Sequence, residues 1–145
     1  MYKNYEGYDD PTAGAAIGRV MKEYRTERRK EWQRQSAIKE RNKVYIVSPY
    51  AGDVEGNVKN AVSYCRFAIT KKKIPIASHL LYPQVLDDSK PEEREVGLLY
   101  GLALLKICDE VWCFGDKLTP GMEQEIKEAK RLRKPIKYFS KEVSL

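Results

Sequence analysis

The chain has 145 residues, enough for one domain with a real core, and 42% hydrophobic against 33% charged residues describe a globular protein with a heavily charged surface. The net charge of +6 is spread evenly, with 10 Lys/Arg against 7 Asp/Glu in residues 1–41 and 17 against 14 in the remainder. A mixed excess of this size suits anionic small molecules, while acids interrupting every basic run disfavour nucleic acid. Cys65, Cys108 and Cys113 have no CxxC partner and there is a single histidine, which argues against a metal site and for reduced thiols in a cytoplasmic protein.

Residues 1–10 are polar and aromatic without periodicity, which predicts a loosely held tail and not a signal peptide. Asp10 before Pro11 has the form of a helix cap followed by proline at the first helical position. A long helix to about residue 41 is expected, with Ile17, Val20, Met21 and Tyr24 on one face. Beyond Tyr24 the apolar stripe nearly vanishes, so this arm, residues 1–42, is expected to lie across the domain or against a partner chain.

The globular domain is assigned to residues 43–145. Val44, Tyr45, Ile46 and Val47 form a β-branched and aromatic run stopped by Ser48, Pro49 and Gly52. Asn57 is the expected cap of a second helix carrying Val58, Ala61, Val62, Cys65, Phe67, Ala68 and Ile69, which Lys71, Lys72 and Lys73 close favourably for the helix dipole. A short strand over residues 74–77 and a long loop over residues 78–90 follow, and long loops commonly cover a site. Pro91, Glu92 and Glu93 open a third helix. Its apolar residues are nearly continuous from 96 to 105, so it is expected to be the most buried helix. That span is about half of the roughly twenty residues a membrane crossing requires. Strands over 110–114 and 135–139 flank a last helix starting at Thr119 or Pro120. The order β-α-β-α-β-α-β with short crossovers predicts an α/β fold: a Rossmann-like open parallel sheet with helices on both faces, preceded by the long N-terminal helix.

In such a sheet the loops after the strands converge on one rim. They carry Ser48, Tyr50, Gly52, Asp53, Ser78, His79, Asp87, Asp88, Asp116, Thr119 and Gly121. The first loop leads into a helix N-terminus whose amides suit a phosphate, yet it has neither P-loop nor GxGxxG spacing. No histidine lies at a triad spacing from a serine or cysteine. Glu125, four residues beyond Gly121, stacks on the same helix face and is the candidate catalytic carboxylate.

Several of these features together resemble the nucleoside 2-deoxyribosyltransferase superfamily, in its poorly characterised bacterial and phage branch. The resemblance rests on Val44 to Gly52 (VYIVSPYAG), then on Asp109, the strand EVWCF, Thr119, Gly121, Glu125, Lys134 and the strand PIKYF. It covers residues 43–139 and leaves the N-terminal helix outside. The resemblance implies that Glu125 is the nucleophile that attacks C1′ of a nucleoside or nucleotide and that Tyr45 orients it. It places Ser48, Tyr50 and Gly52 beside the sugar or its 5′ substituent, and Thr119, Gly121 and Met122 at ligand-binding positions. His79 and Asp87 become candidates for the base side. No cofactor is implied, and homo-oligomers with sites completed by neighbouring subunits are. The family's further acid falls at Gly101, so Asp87, Asp88 or Glu95 must replace it or transfer between bases is lost. Transferase, N-glycosidase and a non-catalytic nucleotide-sensing module therefore all remain open.

Overall fold

The computed structural model describes Lys3, Glu6 and residues 11–143. The expected cap at Asp10 and most of the loosely held tail lie outside the described residues. Chain contacts divide the molecule into two units, residues 1–40 and 41–145.

The first unit is dominated by helix α1, Pro11–Lys39, which has no buried residue. Val20, Met21, Tyr24 and Trp32 are all exposed. Local pairs hold its polar surface: Arg34 donates to Glu31 at 2.6 Å and Gln35 to the same carboxylate at 2.9 Å.

The second unit alternates strand and helix: β1 (Lys43–Val47), α2 (Val54–Thr70), β2 (Ile74–Ile76), α3 (Pro91–Ile107), β3 (Glu110–Phe114), α4 (Pro120–Arg131) and β4 (Ile136–Phe139). Among the described residues the sheet has four strands in the order β2-β1-β3-β4, all parallel. Tyr45 lies opposite Val111 on β3 and Ile76 on β2. After β1 the chain first winds to β2, then crosses back to β3 on the other side of β1. The carboxyl ends of β1 and β3 therefore flank a topological switch point, where open α/β sheets bind ligands.

Side-chain alternation along the strands builds two cores. One face packs Val44, Ile46, Trp112 and Phe114 against Tyr64, Phe67 and Ala68 of α2. It is densely aromatic, with Tyr64 and Phe114 stacked at 4.2 Å between ring centroids. The other face packs Tyr45, Val47, Val111 and Cys113 against Leu105 of α3 and Met122, Ile126 and Ala129 of α4. Helices thus cover both faces, as the sequence predicts. Both α2 and α4 turn into their next strand through a left-handed residue without glycine, Lys72 (φ 59°) and Arg133 (φ 56°). In each turn the following amide returns to the helix: Lys73 to Ala68 at 3.0 Å and Lys134 to Ala129 at 2.9 Å.

Two local expectations are corrected. The N-cap of α2 is Asp53, whose carboxylate accepts from the Gly56 amide at 3.1 Å. Asn57 instead donates to the Tyr50 and Ala51 carbonyls at 3.0 and 3.1 Å, fastening the loop after β1. Helix α3 is not the most buried helix either: only Gly101 and Leu105 are buried, against four residues each in α2 and α4. Apolar residues surround α3, but the sheet can cover only the stripe through Gly97, Gly101 and Leu105, so Leu99 and Tyr100 remain exposed. The loop after β2 is shaped by two 3-10 turns, Ser78–Leu80 and Tyr82–Gln84.

Candidate active site

Strand β1 sends Tyr45 to the face shared with α4. The same face of α4 carries Met122, Glu125, Ile126 and Ala129, which recur at spacings of three and four. Met122 and Ala129 are sealed in the core, and Glu125, only 5% exposed, lies where that apolar face meets the rim. The Tyr45 hydroxyl donates to Glu125 Oε1 at 3.0 Å. It also lies 2.8 Å from the Ser78 hydroxyl, which the first 3-10 turn after β2 delivers. Glu125 Oε2 is buried and has no hydrogen-bond partner among the described residues.

This arrangement sets the electrostatics. Burial pushes the Glu125 carboxyl up to about 7, partly opposed by the Tyr45 hydrogen bond, which favours the ionised form. Burial, and then the neighbouring Glu125 charge, push the Tyr45 phenol well above its ordinary range, so it stays a donor at any physiological pH.

A cavity of about 160 Å³ opens over Glu125, lined also by Tyr50, Ser78, His79, Tyr82, Asp88, Arg94, Gly101 and Gly121. Gly121 and Glu125 share it because they are one helical turn apart. Tyr50 stacks on His79 with centroids 5.1 Å apart, forming a flat aromatic wall. Burial lowers the His79 pKa, partly offset by Asp88 and a hydrogen bond to the Ser48 backbone.

Other residues proposed from the sequence take different places. Thr119 is the N-cap of α4, its hydroxyl accepting from the Met122 amide at 3.2 Å. Met122 is a core residue. Gly52 is in the left-handed region with φ 95°, inside the loop after β1. Ser48 is 1% exposed and its hydroxyl lacks a partner among the described residues, but it does not line the cavity. Asp87 is turned to its own loop, accepting from the Ser89 hydroxyl at 2.6 Å; its neighbour Asp88 lines the cavity instead. Ser78 and Arg94 were not singled out as ligand contacts by sequence spacing. Their place depends on the loop after β2 and the phase of α3, which no motif marks. Among the described residues no three His, Cys, Asp or Glu side chains converge as a metal site, and no helix is long and apolar enough to cross a membrane.

The chain belongs to the family described as a domain of unknown function, DUF7768, whose model matches residues 42–139. Among solved structures it is similar to a 2-deoxyribosyltransferase from the psychrotolerant bacterium Bacillus psychrosaccharolyticus. The two share 18% identity and a TM-score of 0.58, over 71% of this chain and 75% of that one. A 2-deoxyribosyltransferase from Leishmania mexicana aligns at 15% identity and TM-score 0.49, over 68% of this chain and 64% of that one. A CMP N-glycosidase from Clostridium botulinum aligns at 19% identity and TM-score 0.42, over 68% of both chains. The first likeness establishes a shared fold; the other two overlaps are too slight to carry weight. No curated protein matches the chain. The nucleoside 2-deoxyribosyltransferase-like fold expected from the motifs is thus the fold observed.

Proposed function

We propose that this protein cleaves or transfers the N-glycosidic bond of a nucleoside or nucleotide through a covalent glycosyl-Glu125 intermediate. The observation that carries this reading is the division of labour within one buried carboxylate. Oε1 is held by Tyr45, Oε2 is buried without a hydrogen-bond partner among the described residues, and Glu125 lines the cavity. A lone pair of Oε2 forms the bond to C1′ as the C1′–N bond breaks, and the electron pair leaves on the base, which takes up a proton. Water then gives hydrolysis, and a second base gives transfer. The developing positive charge on the sugar is stabilised by the adjacent, largely buried carboxylate.

Tyr50 and His79 offer the flat surface for a base or sugar face. Asp88 lines the cavity where Asp87 and Glu95 do not, and we assign it the proton exchange with the base that Gly101 cannot perform. No cofactor or metal is required by this chemistry. The exposed faces of α1 and α3, with Val20, Met21, Leu99 and Tyr100, suit a homo-oligomer, which light scattering on the purified chain would detect. The free thiols Cys65, Cys108 and Cys113 fit a cytoplasmic protein.

A second reading, a non-catalytic nucleotide-sensing module, is favoured by the raised Glu125 pKa, which leaves about half the molecules without the carboxylate at pH 7. A panel of nucleosides and nucleotides, with and without a free base, separates the two. Base release without acceptor identifies a hydrolase, and exchange identifies a transferase. Binding without turnover, unaltered by Glu125→Ala, would establish the sensing module instead.

A further inference from the structure

Helix α3 passes the site with a glycine where its neighbours are bulky. A Cβ built on Gly101 would lie 3.2 Å from the Tyr45 hydroxyl oxygen, 3.4 Å from the Ser78 hydroxyl oxygen and 3.5 Å from the Ser78 Cβ. Gly101 therefore does more than lack an acid: it leaves room for Tyr45 and Ser78 to meet. A side chain at this position would press its Cβ against the Tyr45 hydroxyl, which would have to give by a few tenths of an ångström.

The pairing has a direction. The phenol owns one hydrogen, and an ionised Glu125 can only accept, so that hydrogen is committed to Oε1 at 3.0 Å. The Ser78 hydroxyl, 2.8 Å away and 6% exposed as a residue, must then donate into the phenol oxygen. A donor into the phenol oxygen polarises its O–H and strengthens the bond it gives to the carboxylate. We infer that Ser78 is a positioning residue, acting through Tyr45 to hold Glu125 as an oriented anion, in a relay that the bare Gly101 makes possible. This rests on the proposed role of Glu125 and adds to it the residue that controls it.

The groups around Glu125 from each packed element are Tyr45 of β1, Cys113 of β3, His79 and Asp88 of the loop after β2, and Arg94 of α3. Cys108, just before β3, neighbours Tyr45. Of these, Tyr45 bonds the carboxylate and also contacts Ser78, which gives Ser78 a hydrogen-bonded route to Glu125 through the phenol.

The test is a 13C NMR titration of the Glu125 side-chain carboxyl, assigned by its loss in Glu125→Gln. Ser78→Ala should raise the Glu125 midpoint by about half a pH unit in the chain with Tyr45, the size of a partly weakened charge-assisted bond. In the Tyr45→Phe background the same change should leave the midpoint where it was. No shift with Tyr45 present, or an equal shift without it, overturns the relay. If Ser78→Ala does not fold, Gly101→Ala provides the second probe. Its methyl crowds the same two hydroxyls and should raise the midpoint with Tyr45 present, but not with Tyr45→Phe; the opposite pattern overturns the inference. No substrate is needed, so the two readings fail separately. A chain that shows this coupling but never releases a base refutes the proposed function alone, and an active chain without the coupling refutes only the relay.

Discussion

Two buried glutamates sit at opposite ends of the same sheet and behave oppositely. Glu110, at the amino end of β3, is 7% exposed, and Glu125, at the carboxyl-end rim, is 5% exposed. Burial alone would raise the Glu110 pKa, yet hydrogen bonds from Asn42, Lys73 and Trp112, with the Lys73 charge, hold it down to about 2. Its two oxygens meet Lys73 at 2.9 Å and Lys137 at 3.5 Å. Among the described residues Glu125 has one phenol as hydrogen-bond partner and no ion pair, and burial lifts it to about 7. Low surface exposure alone therefore does not set a carboxylate's protonation. Glu110, with its oxygens met by partners, is held ionised, whereas Glu125, left half-satisfied beside a cavity, has its pKa raised.

The largest expected effect at the rim is on reaction. Glu125→Gln should remove glycosyl transfer by about three orders of magnitude or more, as loss of a nucleophile does. The same substitution should stabilise the fold at pH 8. The folded pKa of Glu125 lies above its unfolded value near 4.5, so its favourable contribution is full below that value and is lost as pH rises through about 7. Urea unfolding should find Glu125→Gln more stable than the parent by roughly 3 kcal/mol at pH 8, and little different at pH 4.5.

Glu110→Gln should do the reverse. A depressed pKa contributes stability above the unfolded value and loses it as pH falls through about 2. The variant should be less stable at pH 7 by about 1–2 kcal/mol, a figure reduced for screening through the more exposed Lys137, and the deficit should close in acid. Should both glutamates give the same sign, the contrast between the two ends of the sheet would be lost.

Smaller effects sharpen the contrast. Activity should rise with pH through a limb near 7 as Glu125 ionises. Tyr45→Phe should move that limb about one unit upward, an effect of about fivefold at pH 7, with little change far above it. A pH–rate profile of the variant checks this. An unmoved limb would mean that the phenol packs without tuning the carboxylate.

Much of the architecture was legible because strand and helix periods differ so clearly. The run Val44 to Val47 and the run Glu110 to Phe114 alternate between two cores, and Pro91 and Pro120 open their helices where expected. Glu125 and Tyr45 were nominated from separate segments, and the structure brings them within a hydrogen bond. Met122, three positions before Glu125 on the same helix face, is buried in the core, a placement that depends on what packs behind α4. Ser78, Asp88 and Arg94 reach the cavity only through the folding of the loop after β2 and the rotation of α3, which are tertiary facts. Gly101 read as a missing acid in sequence, and only its distances to Tyr45 and Ser78 give it a positive role.

The most direct measurement is the intact mass of the protein after incubation with a 2-fluoro nucleoside, since fluorine beside C1′ disfavours the cationic transition state and slows release of a glycosyl group. A mass increase equal to one fluoroglycosyl unit, mapped to Glu125 by peptide sequencing and absent from Glu125→Gln, is the predicted result. An unmodified chain under conditions where the base is being released, or an adduct on any other residue, would contradict the claim that Glu125 is the nucleophile.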